Sequence, residues 1–356
     1  MKNKQPRFMG RMSLYWSKKI QPFLKDPLFL NRWVTSYSRI PEDKDRITSW
    51  VNAGYRIFLN HDNYIGEVFM FEQDMHQGIM PYSHRSGSTE RYSASIKPQN
   101  DELNIMLAKA LGNEGHNRDL SEALEEFTRN TAQSLFFYGK AAYEIACKKN
   151  ESGAITELEF YPIYAPSFKK IFGTCWQIIP WGAAKHARVK AGIRHIPTEK
   201  VLYVNFPKRL QGRRGLMKIL KGLAYISKEV IPKFQLEAMK NQENSGFNFN
   251  DYIWNRYIFK GKVTRDYGWD QRKVPDNDML EYYSIYRHLK FAKSQAVIRE
   301  HIIWCLNQTL SSKYIGTEEH VLAENLITTK QIIDELRLFE KGDLEFASLY
   351  ERTSGV

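Results

Sequence analysis

"SLFFYGKAAYEIACKKNESGAITELEFYPIYAP", running from Ser134 to Pro166, carries the most organised pattern in the chain. It leaves an apolar run, passes Gly139, and then climbs two apolar stretches on either side of "NESG". Tyr, Ile and Phe suit a pleated surface, and Gly153 fits a turn residue with left-handed backbone. The pattern predicts a β-hairpin from "AAYEIACKK" to "AITELEFYPI". None of its residues reads as catalytic.

Working upstream, "DLSEALEEFTRNTAQSLFFYG" places Leu120, Leu124, Phe127, Thr131 and Leu135 on one helical stripe. Asp119 is placed to cap that helix, with Glu122 three residues on as in a capping box, and Gly139 to stop it. Downstream, "SFKKIFG", "CWQIIPW" and "VLYVNF" read as strands. Residues 101–206 therefore form an α+β module.

The flanks are organised differently. In residues 1–100, "ITSWVNAGYRIFL" reads as a short helix, "GEVFMFEQDM" as a strand, and residues 83–100 as a polar loop marking a module boundary. Residues 207–280 begin with a helix carrying Leu216, Leu220, Leu223, Ile226 and Val230 on one face, ended or kinked at Pro232, and continue as a basic, aromatic extended segment. Residues 281–356 hold a long helix and C-terminal helices. Neither Pro nor Gly occurs between Pro275 and Gly316, so one long helix is expected, amphipathic through Ile298, Ile302, Cys305, Leu306 and Leu310. A last helix follows, with a Thr328–Gln331 capping box and Gly342 as terminator. The sequence has no internal repeat.

With 42% hydrophobic and 26% charged residues over 356 positions, the composition is that of a folded protein with room for a sizeable core. Aromatics reach 13%, more than a minimal core needs, and suit broad contact surfaces as well as an aromatic-rich interior. The net charge is +12, and residues 1–40 hold nine basic side chains against Asp26 alone. Such a basic arm neutralises phosphates or docks on an acidic surface; a solvated terminus is the competing reading. Cys147, Cys175 and Cys305 are far apart, lack a CxxC pair and sit among apolar neighbours, which fits buried thiols in a reducing compartment. Neither a membrane span nor the apolar core of a signal peptide is present in the sequence, and a cytoplasmic protein is expected.

The common chemistries are missing together. "GRRGLMK" lacks the spacing of a phosphate-cradling loop, "RSGSTE" is not a nucleophile elbow, and the nine histidines are dispersed. His195 and His301 read as surface or satisfied core residues, and Glu125/Glu126 as a solvated helix face. No catalytic residue, metal or cofactor is expected. Two basic stretches remain. "PKRLQGRRGLMKILKG" holds Lys208, Arg209, Arg213, Arg214, Lys218 and Lys221 without an acid. "WNRYIFKGKVTRDYGWDQRKV" mixes Arg256, Lys260, Lys262, Arg265, Arg272 and Lys273 with Trp254, Tyr257, Phe259, Tyr267 and Trp269. Such mixtures hold a nucleic-acid backbone or form a subunit interface; the interface is weighted above nucleic acid because no known binding motif frames either stretch.

The helix followed by "FFYGKAAYEIACKKNESGAITELEFYPIYAPSF" resembles the wing-domain segment of tailed-bacteriophage portal proteins, with Gly139, Tyr143, Glu144, Gly153, Leu158 and Pro162 at matching positions. "IPTEKVLYVNFPKRLQGRRGLMKIL" resembles the strand and Gly-Leu helix start that follow in that family, through Val201, Leu202, Gly215 and Leu216. The likeness covers about residues 119–231. It implies an α+β fold with a wing-like module followed by long stem- or crown-like helices, assembled into a ring, usually of twelve subunits. In that family the ring sits in the virion at one capsid vertex, after assembly in the host cytoplasm, and double-stranded DNA is packaged and ejected through it. The implied partners are the terminase large subunit, capsid or scaffold protein, and head-completion or neck proteins, with no membrane. The matched positions build fold and ring, not an active site. Residues 1–100 and 241–280 fall outside the pattern, which leaves the clip unplaced and the channel helix open between Leu216–Ile231 and Met279–Ile315. The alternative is a basic monomeric or dimeric nucleic-acid-binding protein. An enzyme is the least supported class.

Overall fold

The computed structural model describes residues 67–80, 92–112, 119–152, 154–163, 165–179, 192–227, 249–269, 281–315 and 318–343. The basic arm, the helix expected at 47–59, Gly153, Val230, Pro232, Arg272 and Lys273 lie outside them. The described residues form a mixed α+β fold.

Its centre is the predicted hairpin. Helix α3 (Leu120–Tyr138) starts at Asp119, whose side chain accepts from the Glu122 amide, and ends at Gly139 with φ of 73°. Strands β2 (Lys140–Lys149) and β3 (Ile155–Ile163) pair antiparallel, and β7 (Val201–Asn205) pairs on the other edge of β2. As the central strand, β2 is buried on both faces. Ala141, Tyr143 and Ile145 join Leu202 and Val204 against the helices, while Ala142 and Val201 point the other way. That second face packs on a smaller sheet of β4 (Phe168–Ile171), β5 (Thr174–Ile179) and β6 (Gly192–Ile196), through Phe168, Cys175 and Ile196. Both pairings in this sheet, β4 with β5 and β5 with β6, are antiparallel. Strand β6 had no sequence signal of its own.

The helical layer comprises α1 (Glu67–Gln77), α2 (Asp101–Leu111), α3, α4 (Gly212–Ser227), α5 (Phe249–Thr264) and α6 (Glu281–Lys313), followed by α7 (Thr329–Lys341). As expected, α6 is one uninterrupted helix of 33 residues, about 50 Å at 1.5 Å per residue. Ile298, Ile302, Leu306 and Leu310 enter the main core, while Ile285 and Leu289 form a separate cluster with Ile332, Leu336 and Phe339 of α7. Helix α7 starts with the Thr328–Gln331 capping box and ends at Gly342.

Long side chains of α6 also close other helices' ends. Arg287 donates to the carbonyl of Gly261 in the last turn of α5 and to that of Trp269 just beyond it, Gln295 to the Asp74 carbonyl at 3.1 Å, and Arg299 to that of Ile79 at 3.2 Å. Cationic and amide donors thereby add bonds to carbonyls at helix C-termini, where the helix supplies few partners of its own.

Three sequence expectations are corrected. Residues 67–77, expected as a strand, are helical: Val68, Phe71 and Met75 recur at helical spacing and are buried on one side. The polar loop expected over 83–100 contains β1 (Ser93–Lys97), paired antiparallel with β8 (His320–Glu324). Asparagines close both edges of this ribbon. Asn104 accepts from the Ile96 amide at 2.8 Å, and Asn307 bonds both the amide and carbonyl of Val321. The segment read as extended after residue 240 is helical over 249–264.

Candidate nucleic-acid interface

The basic run 208–221 folds as a short 3₁₀ turn, Lys208–Leu210, leading into α4. Leu216, Ile219, Leu220, Leu223 and Ile226 are buried in the main core. Helical geometry therefore sends Arg214, Lys218 and Lys221, spaced by four and three residues, to the opposite face, where all three are exposed. Gly215 lies on the packed side. A Cβ there would stand 2.6 Å from the Gln211 side chain and 2.9 Å from the Leu210 carbonyl, so the close approach of turn and helix needs a glycine. Gln211 tethers the turn to the end of α5 through Asp266 at 3.2 Å.

Lys208 and Arg209 are exposed on the turn. Arg209 reaches a groove of about 340 Å³ beside the start of α7, where Lys330 and Arg337 face Glu300 and Asp334. The groove mixes both signs, and Glu300 already accepts from the Thr329 amide at 2.6 Å. Arg213 also counts as exposed, yet its stem lies over Gly139, and a Cβ on Gly139 would come within 2.7 Å of it.

The second basic stretch divides. Arg256 and Lys260 meet the buried carboxylate of Glu67 on α1 at 3.2 and 2.9 Å, and Lys260 is itself buried. These two cations join helices. Lys262 and Arg265 are exposed. Trp254 stacks on Tyr257 at 5.9 Å and stays largely exposed. Tyr267 and Trp269 are core residues: Tyr267 donates to the Leu210 carbonyl at 3.2 Å and Trp269 to Asp74 at 3.0 Å. The expected mixture of bases and aromatics is thus half structural.

No protein-family model matches the chain, and no curated protein matches it.

The described positions behind the portal resemblance fall in one packed unit. Tyr143 is buried, with its hydroxyl 2.7 Å from that of Thr131, and burial pushes its pKa well up. Glu144 is buried beside it, and Pro162 stands opposite Tyr143 in the β2–β3 ladder. His195 packs edge-on to Trp176 at 5.0 Å. His301 bonds the Asn205 carbonyl at 3.0 Å and stacks on Trp304, and burial lowers its pKa. Among the described residues, no group of three or more His, Cys, Asp or Glu is placed to hold a metal, and no helix is long and apolar enough to cross a membrane.

Sequence reading missed three further cations. Lys140 at the start of β2 donates to the Phe168 carbonyl and lies 5.8 Å from the centre of that ring. Lys169 is exposed on β4, and Lys170 lies over the Tyr203 ring at 5.6 Å. They escape a search for charge runs because Lys140 and Lys169 are far apart in sequence and meet only when the two sheets pack.

Proposed function

We propose that this chain is a portal-like ring subunit of a tailed-phage capsid vertex, through which double-stranded DNA is packaged and ejected. The observation that carries the reading is the order helix α3, left-handed Gly139, hairpin β2–β3, returning strand β7, helix α4, folded as one continuous core. The portal resemblance predicts that order. Head-to-tail packing of identical subunits closes into a ring when the rotation per subunit divides a full turn. Exposed aromatics on α5 and α6, Trp254, Tyr282, Tyr283 and Trp304, supply the side chains favoured at such interfaces. The ring works by shape: it guides DNA and docks the terminase large subunit, capsid or scaffold protein and neck proteins.

Light scattering after gel filtration tests this. A ring runs near twelve times the 41.8 kDa chain mass and shows annular particles in negative stain. A mass of one or two chains at every concentration overturns it. The exposed stripe of Arg214, Lys218 and Lys221 favours a second reading, a monomeric or dimeric nucleic-acid-binding protein. Tight DNA binding at low salt with a steep loss on adding salt, in a chain that stays small, selects that reading.

A further inference from the structure

Among the described residues, the small sheet β4–β5–β6 is covered on one side only. Phe168, Cys175, Gln177 and Ile196 are buried against the larger sheet. On the opposite face, Lys169, Trp176 and His195 stand in one row across the three strands, since Trp176 pairs with both neighbours in the ladder. Lys169 and His195 are exposed and Trp176 is half-buried. None of the described strand residues on that face is acidic. The β4–β5 turn adds Phe172, fully exposed and held at φ of 49°, with Gly173 at φ of 78°. A bulky side chain in the left-handed region is uncommon. Thr198 secures this turn by donating to the Gly173 carbonyl at 2.8 Å.

Cations converge along the edge of the same sheet. Lys140 is anchored to the Phe168 carbonyl, Lys169 follows Phe168, and the Arg213 stem lies over Gly139, one residue before Lys140.

We propose that the outer face of β4–β5–β6, together with Lys140 and Arg213 at its edge, binds the phosphodiester backbone of DNA. Lys169, Lys140 and Arg213 take phosphate oxygens, and Trp176, His195 and Phe172 offer ring faces to sugars and to unpaired bases. The electrostatics agree with the geometry. Burial first, then Lys169 and Arg213, push Lys140 down to about 7, so a phosphate arriving beside it favours the protonated amine and draws a proton onto it. The site stands whether the chain forms a ring or acts alone.

The test uses the full chain and fluorescence anisotropy of labelled 20-nucleotide single strands and 20-base-pair duplexes over a salt series. The variants are Lys169→Glu, Lys140→Met, which keeps the aliphatic stem, and Phe172→Ala at an exposed tip. Circular dichroism confirms folding, and light scattering reports mass alongside. At pH 6, where Lys140 carries its proton, Lys140→Met should weaken binding roughly 3- to 10-fold and reduce the salt slope by about one, and Lys169→Glu should do at least as much. Greater loss on single strands from Phe172→Ala assigns the rings to unpaired bases; equal loss on both forms assigns them to sugars. No DNA binding by the wild-type chain, or unchanged affinity and slope in folded Lys169→Glu and Lys140→Met, overturns the site. So does a fall in mass with DNA affinity intact, which would make this face a contact between copies. A small wild-type mass with variant-sensitive DNA binding removes the ring and leaves the site standing.

Discussion

At the residue scale, the join between α3 and β2 concentrates two constraints. Gly139 turns the chain with left-handed backbone and leaves room for the Arg213 stem. Gly139→Ala should therefore cost at least about 1–2 kcal/mol, the usual penalty for an L-residue there, and more where Arg213 is displaced. Urea unfolding measures it, and a loss below a few tenths would show that the turn relaxes freely. Next to it, Lys140 imposes a pH dependence. Its pKa is about 7 folded against an ordinary 10.5. Between those values the unfolded chain holds a proton that the folded chain has released, so this group makes stability rise as pH increases from about 7 to 10.5. Below about 7 both states are protonated and its effect is flat. Lys140→Met should flatten that rise, measured by urea midpoints at pH 6.5, 8 and 9.5. Gly139 was legible as a helix stop, because a left-handed cap is a local matter. Lys140 was not, because its burial and like-charged neighbours come from β4 and α4.

At the element scale, misreadings trace to helices that place charge on their packed side. Helix α1 buries Glu67 and Glu72 beside Val68, Phe71 and Met75, which blurs the apolar stripe and leaves the β-favouring run "VFMF" as the dominant local signal. Helix α5 buries Lys260 and Thr264 while exposing Ile253 and Trp254, an inversion of the usual pattern. Where apolar residues alone fill the packed side, as on α4 and the second half of α6, sequence and structure agree. The same charges make a prediction. Glu67→Ala leaves Lys260 buried without its counter-charge and should destabilise by about 3–5 kcal/mol, whereas Glu67→Leu with Lys260→Met should recover most of that loss. Equal losses in both would show that helix packing, not the ion pair, is being measured. At α7 the capping box is exposed. Thr328→Ala should cost about 0.5–2 kcal/mol, and amide exchange should quicken in α7 before the main core.

At the scale of the whole molecule, α6 runs from the α7 cluster into the main core, so its two faces carry different duties. Leu306 is fully buried there, and Leu306→Ala should lower stability by about 2–5 kcal/mol through the cavity left behind. Trp304, two residues earlier, is 57% exposed. Trp304→Ala should leave the thermal midpoint nearly unchanged and, on the ring reading, reduce the assembled mass; a stability loss equal to that of Leu306→Ala would place it in the core instead. The architecture was readable from sequence wherever contacts are local. The β1–β8 ribbon was not, since its strands are separated by more than two hundred residues. That separation has a bearing on biosynthesis. At roughly 5–20 residues per second, β1 waits about 10–45 s on the ribosome before its mate is made. Until then Asn104 guards one side of a nascent strand whose other side lacks its mate, so a chain stopped before residue 320 should leave a smaller soluble fraction on expression than the full chain.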